Sequence, residues 1–395
     1  MSKAVSARLL LALCVLFAMG GASTAWAQSY PGGHGLILIM PDPHTALSRG
    51  LAFGGSVYQS GGHFPTIQNI GNVVQTNRVE GSLDVPVTLL QKDDWDNDAV
   101  DVTAKGTWIN PHLLFTYPFG NRSAKSYKGR GVILGEIDYV NDKSEVDAKG
   151  KGNNADQKTE LTRSVVSMRA GGSYGILEQW GLGAGFRFLL MDTPELNQKT
   201  GDNKLKSSGD PGSGLFAFEL GTVVEPINRW TIGLWYEAGA SDNPKIKIKG
   251  ENENGQKVDD KTKIYRAYPA QFGLGTAYKI KQADNLQITG DYIQRQNLEK
   301  DDIDVVLRRQ TFAVGANYPI NGMWTIRGGL NKADESGDGK LSTLGLCVGA
   351  GADVSKEFDV DMNLGYFTGK EEVNDDDDAK YQDIRLGVQG AYRFK

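Results

Sequence analysis

The chain lacks the features typical of helical membrane proteins, disulfide scaffolds and histidine-dependent enzymes. It has two cysteines and four histidines in 395 residues, and only Cys347 follows residue 27, so no internal disulfide can form beyond that point. After residue 27 no apolar run approaches the roughly 20 residues of a spanning helix. A barrel hydrolase or protease needs a histidine positioned beside serine or aspartate. None of the four histidines follows such a signature, so we expect neither an enzyme nor a cofactor. The histidines are His34, His44, His63 and His112.

Positive charge is not in excess either, since the formal net charge is −5, and this argues against a nucleic-acid partner. What the N-terminus does contain is an export signal. Lys3 and Arg8 precede an apolar run over 9–19, and Ala25-Trp26-Ala27 fits the small-x-small rule of signal peptidase. The sequence therefore predicts a signal peptide over 1–27, cleavage after Ala27 and an exported chain without a lipid anchor.

The rest of the chain is rich in glycine and aromatic residues, and the whole sequence has 50 Gly, 15 Tyr, 14 Phe and 7 Trp. Apolar and polar residues alternate strictly in its last segment, and the pattern recurs upstream. The apolar face of that segment is Ile384, Leu386, Val388, Gly390, Tyr392 and Phe394. Successive side chains of a membrane strand face lipid and lumen in turn. The sequence thus predicts an all-β fold, a transmembrane antiparallel up-and-down β-barrel.

Fourteen strands can be counted, beginning with 49–58 and 106–117. The segment 59–105 could hide a further hairpin with 79–91 as its best strand, so sixteen strands is the alternative. We assign 1–27 to the signal peptide, 28–48 to a short N-terminal hatch or plug segment in the lumen, and 49–395 to the barrel.

Short and long connections alternate along the chain. Outer-membrane barrels keep short turns in the periplasm and long loops outside, so both chain ends are expected in the periplasm of a Gram-negative bacterium. The long or charged connections are 141–160, 192–211, 240–261, 331–340 and 370–380. Aromatic residues flank the short turns, as in a girdle at the lipid boundary. The expected surroundings are outer-membrane lipid and lipopolysaccharide. The terminal strand ending in Tyr392 and Phe394 is expected to be read by the barrel-assembly machinery.

Several stretches, taken in order, resemble the long-chain fatty-acid and aromatic-hydrocarbon transporter family (FadL/TodX type). They are Pro111-His112-Leu113-Leu114-Phe115, Ala170 to Tyr174 leading into Trp180 to Phe186, and Tyr268-Pro269-Ala270 before Gly273 to Tyr278. The resemblance covers about 110–395. It implies a monomeric fourteen-stranded barrel, an N-terminal hatch in the lumen, and uptake of a hydrophobic small molecule. The segment 28–48 is about half the family's hatch length and has no Asn-Pro-Ala. A general porin or a structural barrel is the alternative.

Candidate ligand-binding residues come from three patterns. The apolar cluster Leu36, Ile37, Leu38, Ile39 and Met40 could touch substrate as a plug, or be a short packed strand or tether. Inward-facing apolar residues could line a pocket or simply fill the barrel; those chosen are Met191, Trp235 and Phe367. Arg309 and Arg385 could hold a carboxylate by forked hydrogen bonds, or belong to a salt-bridge network.

One acidic stretch imitates part of a calcium loop. Asp334, Ser336 and Asp338, followed by Gly339, match its first positions, but Gly345 stands where a bidentate glutamate belongs. The stretch is therefore either a weak divalent-ion site or a solvated acidic loop.

Overall fold

The structure is a computed structural model, and it is described for the following residues. They are 37–39, 59–60, 63–65, 69–76, 79–96, 100–121, 126–150, 156–192, 195–200, 203–209, 214–242, 245–251, 257–263, 265–281, 286–296, 308–320, 322–336, 340–374 and 377–394. The predicted signal peptide and its cleavage site lie outside these residues. In the described ranges, no helix is long and apolar enough to cross a membrane.

The secondary structure is almost entirely strand, with one short 3₁₀ helix. The elements before the barrel are β1 (Ile37–Ile39), β2 (Gln59–Ser60), β3 (His63–Pro65) and the 3₁₀ helix (Ile70–Gln75). The strands of the first half are β4 (Glu80–Asp96), β5 (Val100–Ile109), β6 (His112–Gly120), β7 (Arg130–Gly150), β8 (Gln157–Leu177), β9 (Trp180–Met191), β10 (Glu195–Thr200), β11 (Asn203–Gly209), β12 (Gly214–Ile227) and β13 (Trp230–Glu237). Those of the second half are β14 (Ala240–Asp242), β15 (Lys245–Glu251), β16 (Lys257–Lys263), β17 (Tyr265–Tyr268), β18 (Ala270–Ile280), β19 (Leu286–Gln296), β20 (Arg308–Pro319), β21 (Trp324–Ser336), β22 (Lys340–Asp353), β23 (Phe358–Asn374) and β24 (Asp377–Arg393).

All of these strands except β1, β2, β3, β14 and β17 form a closed antiparallel barrel of fourteen strands, as the alternation predicts; some barrel strands consist of two of these segments. The barrel closes where β24 pairs with β4, from Lys380↔Asp94 to Arg393↔Glu80. Closure leaves no unpaired sheet edge, which a strand in lipid could not tolerate. β5 and β6 together make the second strand, interrupted at Asn110 and Pro111, because proline cannot donate to the ladder.

The first barrel strand is β4, which corresponds to the segment 79–91 that the sequence leaves as an alternative. The segment 49–58, counted as the first strand, lies outside the described residues, and so does the boundary at 48–49. The count of fourteen is nevertheless confirmed with β4 as the first strand. The segment 59–105 holds β4, most of β5 and the 3₁₀ helix.

Several segments expected as loops continue as paired strands instead. β7 and β8 stay in register out to Ala148↔Gln157, and β23 and β24 out to Asn374↔Asp377. The prediction of loops over 141–160, 331–340 and 370–380 is therefore wrong for most of their length. A ladder is made by backbone groups, so polar residues can extend it once the strand needs no apolar face.

The outer face of the barrel is apolar, with large side chains such as Phe216, Leu220 and Leu344 more than half exposed. The aromatic residues at the short turns also point outward. Two of the tryptophans bond to threonine hydroxyls on the neighbouring strand: Trp180 Nε1 donates to Thr222 Oγ1 at 2.8 Å and Trp230 Nε1 to Thr276 Oγ1 at 2.7 Å. An apolar band bounded by amphipathic rings is what a lipid bilayer requires of a barrel.

Candidate functional site

The lumen next to the short turns contains the 3₁₀ helix, which we call the plug helix (Ile70–Gln75). All six of its residues are buried. Glycines on β8, β9 and β12 make room for it. A Cβ at Gly183 would lie 2.6 Å from the carbonyl carbon of Ile70, and one at Gly221 would lie 2.2 Å from Asn69 Oδ1. The helix therefore packs directly on the backbone of the barrel wall.

Both ends of the plug helix are fixed by polar contacts to the wall. The Asn69 side chain caps its start by accepting from the Gly71 amide at 2.8 Å, and its Nδ2 donates to the Thr222 carbonyl at 2.9 Å. At the other end, Arg130 Nη1 donates to the Val74 carbonyl at 3.1 Å. These bonds satisfy backbone groups that a helix end leaves without partners.

Side chains of the surrounding wall pack against the plug helix. Ile70 and Val73 belong to one buried cluster with wall residues, and Val74 packs with Tyr127 and Val223. Tyr127 lies in the turn between β6 and β7, and its hydroxyl donates to Glu225. Burial, and then the charge of Glu225, raise the pKa of Tyr127, so its hydroxyl keeps the proton that this bond needs.

Next along the same strands lies a group of buried charges on one side of the barrel, which we call the ionic layer. Its residues are His112, Glu136, Asp138, Arg169, Arg187, Glu219 and Glu237. Arg169 bridges two carboxylates, with Nη1 2.9 Å from Glu136 and Nε 2.6 Å from Glu219. Arg187 Nε donates to Glu237 Oε1 at 2.9 Å and its Nη1 to Asp138 Oδ2 at 3.0 Å. Buried charges at this density must be paired, and here they are paired between nearby strands of the wall.

Beyond the ionic layer, away from the short turns, is a buried apolar layer. Its residues are Val140, Val165, Leu189, Leu215, Ala217 and Tyr268, with Ala240 packed against it. A small sheet meets this layer, because β17 ends at Tyr268 and pairs with both β14 and β1. β1 runs parallel to β17, with Ile37 opposite Tyr265 and Ile39 opposite Ala267. β1 therefore lies beside the strand that ends in the apolar layer.

An apolar groove of about 840 Å³ lies on the part of the wall that holds the plug helix. Its lining includes outward-facing Tyr174, Leu182 and Leu220 together with wall glycines, among them Gly183 and Gly221. The plug helix and this groove are thus separated by a wall only one backbone thick.

The other half of the lumen carries separate ion pairs. Arg327 pairs with Asp361, and Arg393 Nη2 lies 3.2 Å from Asp359 Oδ1. Arg385 Nε donates to Asp383 Oδ2 at 2.6 Å. These contacts agree with the view that a mixed-charge lumen satisfies itself.

The structure places the predicted apolar ligand residues as follows. Ile37 and Ile39 form part of β1 beside the apolar layer, while Leu36 and Met40 lie outside the described residues. Met191 is the last residue of β9, two residues after Leu189 of the apolar layer, and its side chain lies outside the described ones. Trp235 and Phe367 are buried inside the barrel. They lie on β13 and β23, so these candidates do not form one cluster.

The predicted carboxylate clamp of Arg309 and Arg385 is not formed. Arg309 lies on β20 and Arg385 on β24, four strand spacings apart, or about 19 Å along the wall at about 4.8 Å per spacing. Arg385 is held by Asp383 and lies over the Phe367 ring, with its Cζ 4.6 Å from the centroid. One carboxylate cannot reach both guanidinium groups.

The calcium-loop candidates lie on a strand rather than in a loop. Asp334 and Ser336 belong to β21 and pair with Ser342 and Lys340 of β22. Asp334 accepts from the Ser342 hydroxyl at 2.7 Å and lies 3.0 Å from Lys332 Nζ. Asp338 lies outside the described residues. The carboxylate of Asp334 is therefore already satisfied by its strand neighbours.

Sequence reasoning missed three members of the site. Leu134, Glu136, Asp138 and Val140 are spaced two residues apart on β7 and therefore share one face of the strand. The alternation rule would have placed this face inward. His112 was considered only as a candidate catalytic residue. The plug helix carried no recognisable signal, because a helix of six residues has too few turns to show a 3.6-residue period.

Neither a known family profile nor a curated protein matches the chain in sequence. Its fold, in contrast, is similar to several solved structures. The toluene transporter TodX of Pseudomonas putida superposes with a TM-score of 0.65 at 13% identity, over 88% of this chain and 98% of that one. A FadL homologue from Pseudomonas aeruginosa gives 0.66 at 13% identity, over 89% and 98%. The toluene transporter TbuX of Ralstonia pickettii gives 0.62 at 15% identity, again over 89% and 98%.

These similarities extend over nearly the full length of the solved chains, and their sequence identity is low enough that they establish architecture rather than substrate. This chain has the fold of the FadL/TodX-type transporters.

Proposed function

We propose that the protein is an outer-membrane channel for the uptake of hydrophobic small molecules, such as long-chain fatty acids or aromatic hydrocarbons. The observation that carries the proposal is the apolar layer beside the buried ionic layer, in a lumen that also holds the plug helix. A pore for polar solutes needs a water-filled passage and gains nothing from a layer of buried aliphatic side chains. An apolar substrate gains a dry surface on its way inward.

The fold neighbours support the same class of function, since TodX and TbuX are named as toluene transporters. The proposal includes no catalytic step. It places the protein in the Gram-negative outer membrane as a monomer after removal of residues 1–27, surrounded by lipid and lipopolysaccharide. The C-terminal strand is the part that we expect the barrel-assembly machinery to bind.

A matched pair of substitutions on β8 tests the proposal. Val165 faces the apolar layer, and its neighbour Val166 lies on the opposite face of the strand. Val165→Trp should fill the layer and lower uptake of labelled oleate or toluene by cells about tenfold or more. Val166→Trp adds the same side chain toward lipid, where tryptophan is well tolerated, and should leave uptake unchanged.

Both variants must show the heat-dependent gel shift of a folded barrel before uptake is compared. In planar bilayers the unsubstituted protein should pass little steady ion current. Large stable channels, together with equal uptake by the two variants, would overturn the proposal and favour a general porin.

A further inference from the structure

Within the ionic layer, three side chains on two adjacent strands converge on one point. His112 begins β6, and its Cα partner on β7 is Asp138, two residues beyond Glu136. His112 Nε2 lies 3.3 Å from Glu136 Oε1 and 3.2 Å from Asp138 Oδ1. Ligand atoms of the three residues all lie within 4.8 Å of one another, and all three residues are buried.

Each carboxylate in this group is held by arginine and also faces the histidine. Glu136 Oε2 accepts from Arg169 Nη1 at 2.9 Å, while its Oε1 faces His112 and lies 3.4 Å from Arg187 Nη2. Asp138 Oδ2 accepts from Arg187 at 3.0 Å, while its Oδ1 faces His112. Residues that orient a ligand through its second oxygen are a regular feature of metal sites.

Hydrogen-bond geometry is incomplete where the three side chains converge. Among the described residues, the buried atoms His112 Nε2 and Asp138 Oδ1 form no hydrogen bond of acceptable geometry, although they lie at ion-pair distance from each other. A buried polar atom without a well-formed hydrogen bond is costly. Moreover, one ring N–H could serve only one of the two oxygens. Two ligands about 2.0–2.1 Å from a tetrahedral zinc ion lie about 3.3 Å apart, which matches both measured separations.

The net charge of the ionic layer also favours a bound cation. Its ion pairs join the carboxylates of Glu136, Asp138, Glu219 and Glu237 to the guanidinium groups of Arg169 and Arg187. Four negative and two positive charges leave a formal charge of −2 when His112 is neutral. One divalent cation would balance it.

From these observations we propose that His112, Glu136 and Asp138 bind one divalent transition-metal cation of the zinc class inside the barrel. Imidazole and carboxylate together suit zinc, cobalt or nickel better than calcium or magnesium. The fourth position falls to water, because Asp84, which is buried on β4 opposite His112 in register, has other contacts of its own. The ion would join β6 to β7 next to the interruption at Asn110 and Pro111, where the ladder is weakest.

The test uses the mature full-length chain, refolded in detergent with and without Co²⁺, whose d–d absorption reports coordination geometry. Unbound ion is removed by gel filtration before metal analysis. We expect one Co²⁺ per chain, visible absorption typical of a tetrahedral site, and a thermal unfolding midpoint several degrees above that of the metal-free protein.

Two variants assign the ion to this cluster. His112→Asn should lose the absorption and bind Co²⁺ more weakly by more than the 10–100-fold that loss of a supporting residue costs. A variant with His34, His44 and His63 all changed to alanine retains His112 alone and should bind as the unsubstituted protein does.

Either of two results would overturn the proposal. One is an unsubstituted protein that refolds equally well with Co²⁺ and retains none, in which case protons balance the charge. The other is loss of binding in the triple-histidine variant but not in His112→Asn. If His112→Asn fails to fold, the stoichiometry and spectrum of the unsubstituted protein and of the triple variant still decide the matter.

Discussion

The contact between the plug helix and the glycines of the wall can be tested by adding a single methyl group. In Gly221→Ala the new Cβ would lie 2.2 Å from Asn69 Oδ1 and 2.8 Å from the Gly71 nitrogen. Neither atom can move freely, since both take part in the cap of the helix. The wall is a hydrogen-bonded sheet, so the plug helix must give way.

The magnitude follows from two opposing terms. Ile70, Val73 and Val74 are fully buried, and burial of three such side chains stabilises the seated plug by about 6 kcal/mol at about 2 kcal/mol each. Overpacking by one methyl group costs about 1–3 kcal/mol. The plug should therefore stay seated in Gly221→Ala. At about 2 kcal/mol of strain it would be unseated about 0.1% of the time, roughly 30-fold more than before.

A cysteine probe can measure that small population. Cys347 is the single cysteine of the described chain and is buried, so Val73→Cys in a Cys347→Ala background gives one reactive thiol on the plug helix. Maleimide labelling of this thiol requires transient unseating, and its rate reports the open fraction. Adding Gly221→Ala should raise the rate about 30-fold, while steady conductance in planar bilayers stays low.

Gly135 provides the control, because a Cβ there would meet nothing within 4 Å. Gly135→Ala should leave the labelling rate as it was. The double variant Gly183→Leu/Gly221→Leu would fill the space of Ile70, and it should unseat the plug and produce ion current. Equal labelling in Gly221→Ala and Gly135→Ala would show that the plug helix does not rest on these glycines.

Three further predictions concern stability, assembly and topology. Arg169→Met leaves two buried carboxylates without their shared partner and should lower the free energy of unfolding in detergent and urea by about 3–5 kcal/mol. The control Arg308→Met, at an exposed site, should change this free energy by less than about 1 kcal/mol. Equal losses in the two variants would contradict the ionic-layer argument. Phe394→Ala removes a half-exposed ring that contacts Tyr392 at 5.0 Å between centroids. Lost burial should lower the free energy of unfolding by about 1–3 kcal/mol or less, but we expect a marked drop in outer-membrane level on immunoblots, with the inserted fraction still heat-modifiable. Normal levels of the double variant with Tyr392→Ala would exclude the strand as the assembly signal. An epitope tag inserted at 151–155, between the end of β7 and the start of β8 in sequence, should bind antibody on intact cells. Labelling only after permeabilisation would reverse the assigned topology.

The alternation of side chains was sufficient to predict most of the barrel. Strands such as β12 and β18 alternate between buried and exposed residues along most of their length, because each faces lipid on one side and packed lumen on the other. The same rule could not recognise β4 with confidence, since Asp84 and Pro86 interrupt its pattern. It also stopped the strands too early where polar hairpins extend past the apolar band.

The candidate site was only partly predictable. Alternation along each strand turns Arg169, Arg187, Glu219 and Glu237 inward, but it gives no distance between residues on strands far apart in sequence. It therefore suggested a clamp of Arg309 and Arg385 that the barrel circumference prevents.

The sequence by itself determined that the chain is a barrel and, for most strands, which residues face lipid, because a period of two along each strand is a local property. It left the strand count between fourteen and sixteen. Only the tertiary structure decided what fills the lumen. The seat of the plug helix depends on the absence of side chains at Gly183 and Gly221, and the ionic layer on carboxylates and guanidinium groups brought together from five strands. Such contacts depend on strand register and barrel curvature, which involve the whole closed sheet and leave no periodic trace in any one segment.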